Sequence, residues 1–147
     1  MHFLQSDLER AKELLKEKRY TCVLCKDAQC VTSKEHGVKP LLAFLNSGES
    51  YADFSAADQI VGQAAAHLYL LIGVSAVYAD VISKGTIQLL TEHHIPVEHG
   101  TVVDQIRNRA GNDICPMEKA VTGIIDSQLA VQKIQETILT LKKANSV

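Results

Sequence analysis

A chain of 147 residues is long enough to bury one hydrophobic core, and one domain is expected over residues 1–147. With 46% hydrophobic and 22% charged residues and a net charge of −2, it reads as a globular protein, and no dense basic block points to a nucleic-acid partner. The longest apolar run, around Ala64–Val74, is interrupted by His67 and Gly73 and is too short to span a bilayer, the first residues lack an apolar signal region, and the four cysteines suit reduced thiols, so no membrane partner and a cytoplasmic location are expected.

Ser6 and Glu9 form an S-x-x-E capping box ahead of Leu8, Ala11, Leu14 and Leu15 at helical spacing, which predicts a helix from about Asp7 to Lys18. The opposite face, Arg10, Lys12, Glu13, Lys16 and Glu17, is that of a solvated surface. Tyr20–Cys25 and Gln29–Ser33 are β-prone runs on either side of Lys26-Asp27-Ala28, the pattern of a hairpin. Cys22-x-x-Cys25 invites a zinc or redox assignment, but residues three apart on a strand point to opposite faces. A two-residue turn at Asp27-Ala28 instead sets Cys25 opposite Cys30, where a cross-strand disulfide can form on oxidation. Gly37-Val38-Lys39-Pro40 leads into a short helix through Leu41, Leu42 and Leu45 that stops at Asn46-Ser47-Gly48, with Lys39 placed to meet an anion.

Ser55, with Asp58 three residues on, resembles the cap of a helix from Ala56 to Ile72 that ends at Gly73. That helix would be apolar all round and hence buried, with Gly62, Ala64, Ala65 and Ala66 keeping it narrow and His67 as a core or rim histidine. Val74–Ile82 reads as a strand covered on both faces, Ser83-Lys84-Gly85-Thr86 opens a helix to His94, and Val97–Val103 is a further strand. Strand, helix, strand makes a right-handed crossover, so these two strands should lie parallel and adjacent. His93 and His94 point about 100° apart on a helix end, and no further ligand completes a set with His99, so no metal is assigned. A helix follows through Ala120, Val121 and Ile124. Ser127 caps the last helix, whose apolar stripe is Leu129, Val131, Ile134, Ile138 and Leu141.

The densest chemistry lies in Asn108–Glu118. Pro116 suits the first position of a helix, placing Cys115 at the N-cap, where the helix dipole favours a thiolate, while Glu118 can answer that cap. Asn108 and Arg109 precede it in a loop made pliable by Gly111. The element order predicts a three-layer α/β/α sandwich with a small mixed sheet, starting with a helix and then a β-hairpin. In such sheets ligands gather beyond the carboxyl ends of the parallel strands. Ser55–Asp58, Ser83–Thr86 and Asn108–Cys115 all belong at that end by this order, and three helix N-termini there would suit phosphate, carboxylate or a polarised carbonyl.

The strings Gly-Val-Lys-Pro-Leu-Leu (37–42), Phe-Ser-Ala-Ala-Asp (54–58), Tyr-Ala-Asp-Val-Ile-Ser (78–83) and Asn-Arg through Cys-Pro-Met-Glu (108–118) resemble a small prokaryotic family, domain of unknown function 1893, within the cytidine deaminase-like superfamily. The resemblance runs from about Leu4 to Ile138 and implies the deaminase-like fold and the place of the site, but no reaction. Zinc deaminases carry H-x-E at the start of the buried helix and P-C-x-x-C at the start of the next. Here those places read Ala56-Ala57-Asp58 and Ser83-Lys84-Gly85-Thr86, so the zinc site is expected to be lost and no cofactor is assigned. Three functions remain. The first is binding of a small polar or phosphorylated ligand, nucleotide-like or base-like, by Lys39, Ser55, Ser83, Lys84, Asn108 and Arg109. The second is a metal-independent enzyme with Cys115 as nucleophile or redox thiol and Asp58 as general base. The third is a homo-oligomer in which these residues serve subunit contacts.

Overall fold

The computed structural model describes residues 6–145; part of the stretch inspected for a targeting signal lies outside them. Helix α1 (Asp7–Glu17) starts at Ser6, whose hydroxyl accepts from the Glu9 amide at 3.1 Å. Strands β1 (Cys22–Lys26) and β2 (Gln29–Ser33) form the hairpin, with Cys25 paired to Cys30 as the two-residue turn requires. Helix α2 (Lys39–Asn46), strand β3 (Ser55–Val61), helix α3 (Gln63–Ile72), strand β4 (Ala76–Ser83), helix α4 (Lys84–Glu92), strand β5 (Val97–Val103), helix α5 (Pro116–Val121) and helix α6 (Ser127–Asn145) follow. The five strands lie in the order β2-β1-β3-β4-β5. β1 is antiparallel to both of its neighbours, and β3, β4 and β5 run parallel. A mixed sheet with helices on both faces is the expected architecture, and the β4–α4–β5 crossover joins adjacent parallel strands as expected.

The helix expected over Ala56–Ile72 is two elements. Ser55–Val61 forms the central strand, and α3 begins only after Gly62, whose backbone is extended. Ser55 therefore caps no helix; it pairs with Cys25 on one side and Ala76 on the other. Ala56 and Ala57 favour helix locally, but here both are fully buried, one on each face of the sheet, where the ladders to β1 and β4 satisfy their backbones. The last helix shows a smaller difference. Asp126, not Ser127, receives the first turn: its carboxylate accepts from the Gln128 amide at 3.0 Å and its carbonyl from Ala130 at 2.9 Å. The Ser127 hydroxyl instead meets His67 Nδ1 at 2.9 Å. The buried stripe of α6 is Ala130, Val131 and Ile134 with Ile138 beside it, while Leu129 and Leu141 face outward.

Two cores hold the layers. Under α1, Ala11 and Leu15 pack on Val23, Cys25, Ala57 and Tyr78. Across the sheet, Leu24, Ala56, Val77 and Ala79 pack with Leu68, Tyr69 and the inner residues of α6. Cys22 and Cys25 thus fall into different cores, as the strand period requires. The charged face of α1 is not simply solvated. Lys12 and Lys16 lie over the Tyr78 ring at 5.0 and 5.2 Å, and Lys12 Nζ reaches Glu98 at 2.8 Å.

Candidate functional site

At the carboxyl end of β3 the chain turns through Gly62 into α3, leaving a concavity between that turn, the segment ahead of α2 and the loop ahead of α5. This cavity measures about 450 Å³. Asp58 is on its lining and only 7% exposed. The Tyr69 hydroxyl donates to Asp58 Oδ2 at 2.6 Å, and the Ile60 amide approaches Oδ1 at 3.4 Å. Burial pushes the Asp58 carboxyl up to about 7, against these two bonds, which favour the ionised form. Behind Tyr69 lies the Cys22 thiol, 3.2 Å from its hydroxyl. Burial also raises both the Cys22 thiol and the Tyr69 hydroxyl well above their ordinary values. A row of protonatable groups, Cys22, Tyr69 and Asp58, therefore runs from the core to the cavity.

The facing wall is the loop expected from the sequence. Arg107 pairs with Ile114 in an isolated antiparallel bridge, and the Asn108 amide bonds the Asp113 carbonyl at 2.9 Å. The Asn108 side chain closes the turn: Oδ1 accepts from the Asn112 amide at 3.2 Å, and Nδ2 donates to Asn112 Oδ1 at 3.0 Å. Gly111 takes a positive φ of 72° in this turn. Cys115 is the N-cap of α5 and Pro116 its first residue, as expected, and Cys115 is a free, half-buried thiol on the cavity wall. No histidine is hydrogen-bonded to its sulfur among the described residues. α5 has only six residues, so few peptide dipoles align behind that thiol.

Glu118 does something that local sequence spacing does not predict. It does not answer its own helix cap. Its carboxylate crosses to α3 and accepts from the Gln63 amide at 2.6 Å and the Ala64 amide at 2.8 Å. An internal anion thus fills the N-terminus of the buried helix. Burial raises the Glu118 carboxyl while the two amides oppose that rise. Gly62 permits the approach, since a Cβ there would collide with Glu118 Oε1.

Asp58, Asn108, Arg109 and Cys115 share this cavity, and Arg107 and His36, which sequence reasoning passed over, join them. Ser83 does not. It is buried with its hydroxyl 2.6 Å from that of Thr86, beside a smaller cavity of about 160 Å³. Lys84 projects into solvent and pairs with Asp104 at 3.0 Å. Lys39 is exposed at the start of α2, and the cavity is lined by its neighbours Val38 and Pro40 instead. Ser55 stands at the opposite, amino-terminal end of β3 and lines neither cavity.

Under the deaminase resemblance expected from the sequence, the first zinc-ligand place would fall at the start of the buried helix, which is Gln63-Ala64-Ala65, and the second would be Lys84-Gly85-Thr86. Neither supplies His, Cys or Glu, the amides of the first are taken by Glu118, and no group of three or more His, Cys, Asp or Glu residues suited to a metal ion occurs among the described residues. These residues do not fit a deaminase zinc ion.

A mixed five-stranded sheet between helices, with a cavity at the carboxyl end of its central strand, defines the class of protein. Within that class, the chain belongs to the family described as TM1506, domain of unknown function (DUF1893), whose model matches residues 10–138. The crystal structure of a DUF1893 family protein (TM1506) from Thermotoga maritima is similar in fold, with a TM-score of 0.81 at 22% identity over 92% of each chain. No curated protein matches the chain. No helix among the described residues is long and apolar enough to cross a membrane.

Proposed function

We propose that the chain is a deaminase-like protein without the zinc site that binds a small polar or phosphorylated molecule, base-like or nucleotide-like, in the Asp58 cavity. The observation that carries this reading is a buried carboxyl, poised near neutrality, on the lining of a cavity that arginines share. A cavity of about 450 Å³ falls within the range of small-molecule sites. Apolar groups such as Val38, Ile60 and Met117 suit the faces of a flat ring, Asp58 suits its hydrogen-bonding edge, and Arg107 and Arg109 suit an anionic tail. Support for the deaminase-like placement is the order of helix, hairpin, central strand, buried helix, strand, helix and strand.

The test is a thermal-shift screen with nucleoside monophosphates, free nucleobases and inorganic phosphate. At least one class raises the melting temperature in proportion to the logarithm of its concentration, and Asp58→Asn removes the response. A flat response across all three classes would overturn the proposal. The alternative of Cys115 as nucleophile with Asp58 as general base shares this cavity; no histidine is hydrogen-bonded to its sulfur among the described residues, and in the present reading its thiol serves as part of the wall.

A further inference from the structure

The Cys25–Cys30 pair stands apart from the cavity. The two cysteines face each other across the hairpin with Cα atoms 4.2 Å apart and are joined as a disulfide. Only five positions separate them in sequence, in two strands already joined by a tight turn. Closing so short a loop removes little freedom from the unfolded chain, so stapling the fold explains the pair poorly. The two sulfurs are also unlike. Cys25 is fully buried under α1, whereas Cys30 is partly exposed and its Sγ accepts from Arg10 Nε at 3.1 Å. Asp7 lies on the other side of that guanidinium, with Oδ1 3.5 Å from Arg10 Nη2, and also receives the Asp27 amide of the hairpin turn at 3.0 Å. The guanidinium is thereby held by both α1 and the hairpin beside one sulfur of the pair.

We propose that Cys25 and Cys30 form a reversible dithiol–disulfide couple that exchanges with small-molecule thiols, in which Cys30 is the reactive sulfur, Cys25 the resolving one and Arg10 the residue that stabilises the Cys30 thiolate. In the oxidising direction, the Cys30 thiolate attacks one sulfur of a small disulfide. The small disulfide's bond breaks, a mixed disulfide forms on Cys30, and one small thiolate leaves. Cys25 then attacks Cys30 Sγ, expelling the second thiolate, which takes up the Cys25 proton as it leaves. Two protein thiols are oxidised and one small disulfide is reduced to two thiols. The reducing direction reverses these steps, with attack on the partly exposed Cys30 Sγ first. A nearby cation favours the thiolate over the thiol, which is the form that reacts.

The experiment equilibrates the folded protein with mixtures of reduced and oxidised glutathione, quenches with an alkylating agent and maps the modified peptides. Cys25 and Cys30 should pass together between alkylated and disulfide forms in one two-electron transition. With Cys25→Ser, a stable glutathione adduct accumulates on Cys30. With Cys30→Ser, Cys25 acquires none on the same timescale. Adding Arg10→Met to the Cys25→Ser variant slows adduct formation about tenfold in the folded state, the size expected when a thiolate loses a neighbouring charge, and leaves the rate in urea unchanged. Both cysteines remaining fully alkylated in oxidised glutathione would overturn the proposal. So would a pair that reduced glutathione never opens, an adduct on Cys25 as fast as on Cys30, or an unchanged folded-state rate after Arg10→Met. The wild-type titration needs no variant to fold.

Discussion

Asp58 is expensive as a carboxylate and cheap as an acid. Its carboxyl is raised from 3.8 to about 7, so the folded chain holds that proton more tightly than the unfolded chain does. Protonation therefore stabilises the fold: the contribution is full below about pH 4, declines as pH rises, and is gone once pH passes about 7. A shift of this size corresponds to about 4 kcal/mol across that window. Asp58→Asn keeps an acceptor for Tyr69 and cannot titrate. Urea denaturation at intervals between pH 4 and 8 should show wild-type stability falling relative to the variant; parallel profiles would mean that Asp58 titrates as an ordinary surface acid. The Tyr69 hydroxyl is the other half of this device. Tyr69→Phe leaves the Asp58 carboxylate without its strongest bond, so it should push the Asp58 midpoint higher still, measured by carboxyl-resonance titration in NMR.

At the scale of elements, the contact between α5 and α3 joins the two walls of the cavity. Glu118 satisfies the first two amides of α3 and ties the Cys115 loop to the central strand's turn. Removing it in Glu118→Ala should cost about 1–3 kcal/mol, the range for losing a helix cap together with a buried acceptor. Gly62→Ala should cost a similar amount, because the new Cβ expels the same carboxylate while the backbone itself, at φ −101°, tolerates alanine. The double variant should be no worse than either single one, and additive losses in urea melts would disprove the coupling. Local patterns announced α1, the hairpin and its register, β4, α4, β5 and the Cys115-Pro116 helix start. They misplaced β3, because Ser55-Ala56-Ala57-Asp58 carries a helix-cap signature and small residues, and only its neighbours on either side make it a strand. Glu118 was hidden for a related reason. A side chain three positions after an N-cap ordinarily serves that cap, and nothing local reveals a partner 55 residues away.

For the whole molecule, the sheet order decides which sequence-flagged groups meet. β3 lies at the centre, so its carboxyl end receives the loop that leaves β5 and the segment that leaves the hairpin. Asp58, Asn108, Arg109 and Cys115 converge, while Ser55 sits at the far end of the strand and Lys39 and Lys84 stand at exposed helix starts. His67 carries the opposite pH sign to Asp58. Burial lowers its pKa below 6.5, so it contributes stability that is present above that pH and lost as pH falls. The two slopes oppose one another on the acidic side, so Asp58→Asn should remove the fall in stability as pH rises from about 4 to 7, and His67→Gln the loss as pH falls below 6.5, read in the same urea series. The central claim, a base-like or nucleotide-like ligand held by Asp58, is tested most directly by a crystal of the protein soaked with a nucleoside monophosphate. The account predicts density in the cavity, with the base edge within hydrogen-bond distance of the Asp58 carboxyl and the phosphate beside Arg107 or Arg109, and none in Asp58→Asn crystals. An empty cavity in crystals of a wild-type protein whose melting temperature the same compound raises would contradict it.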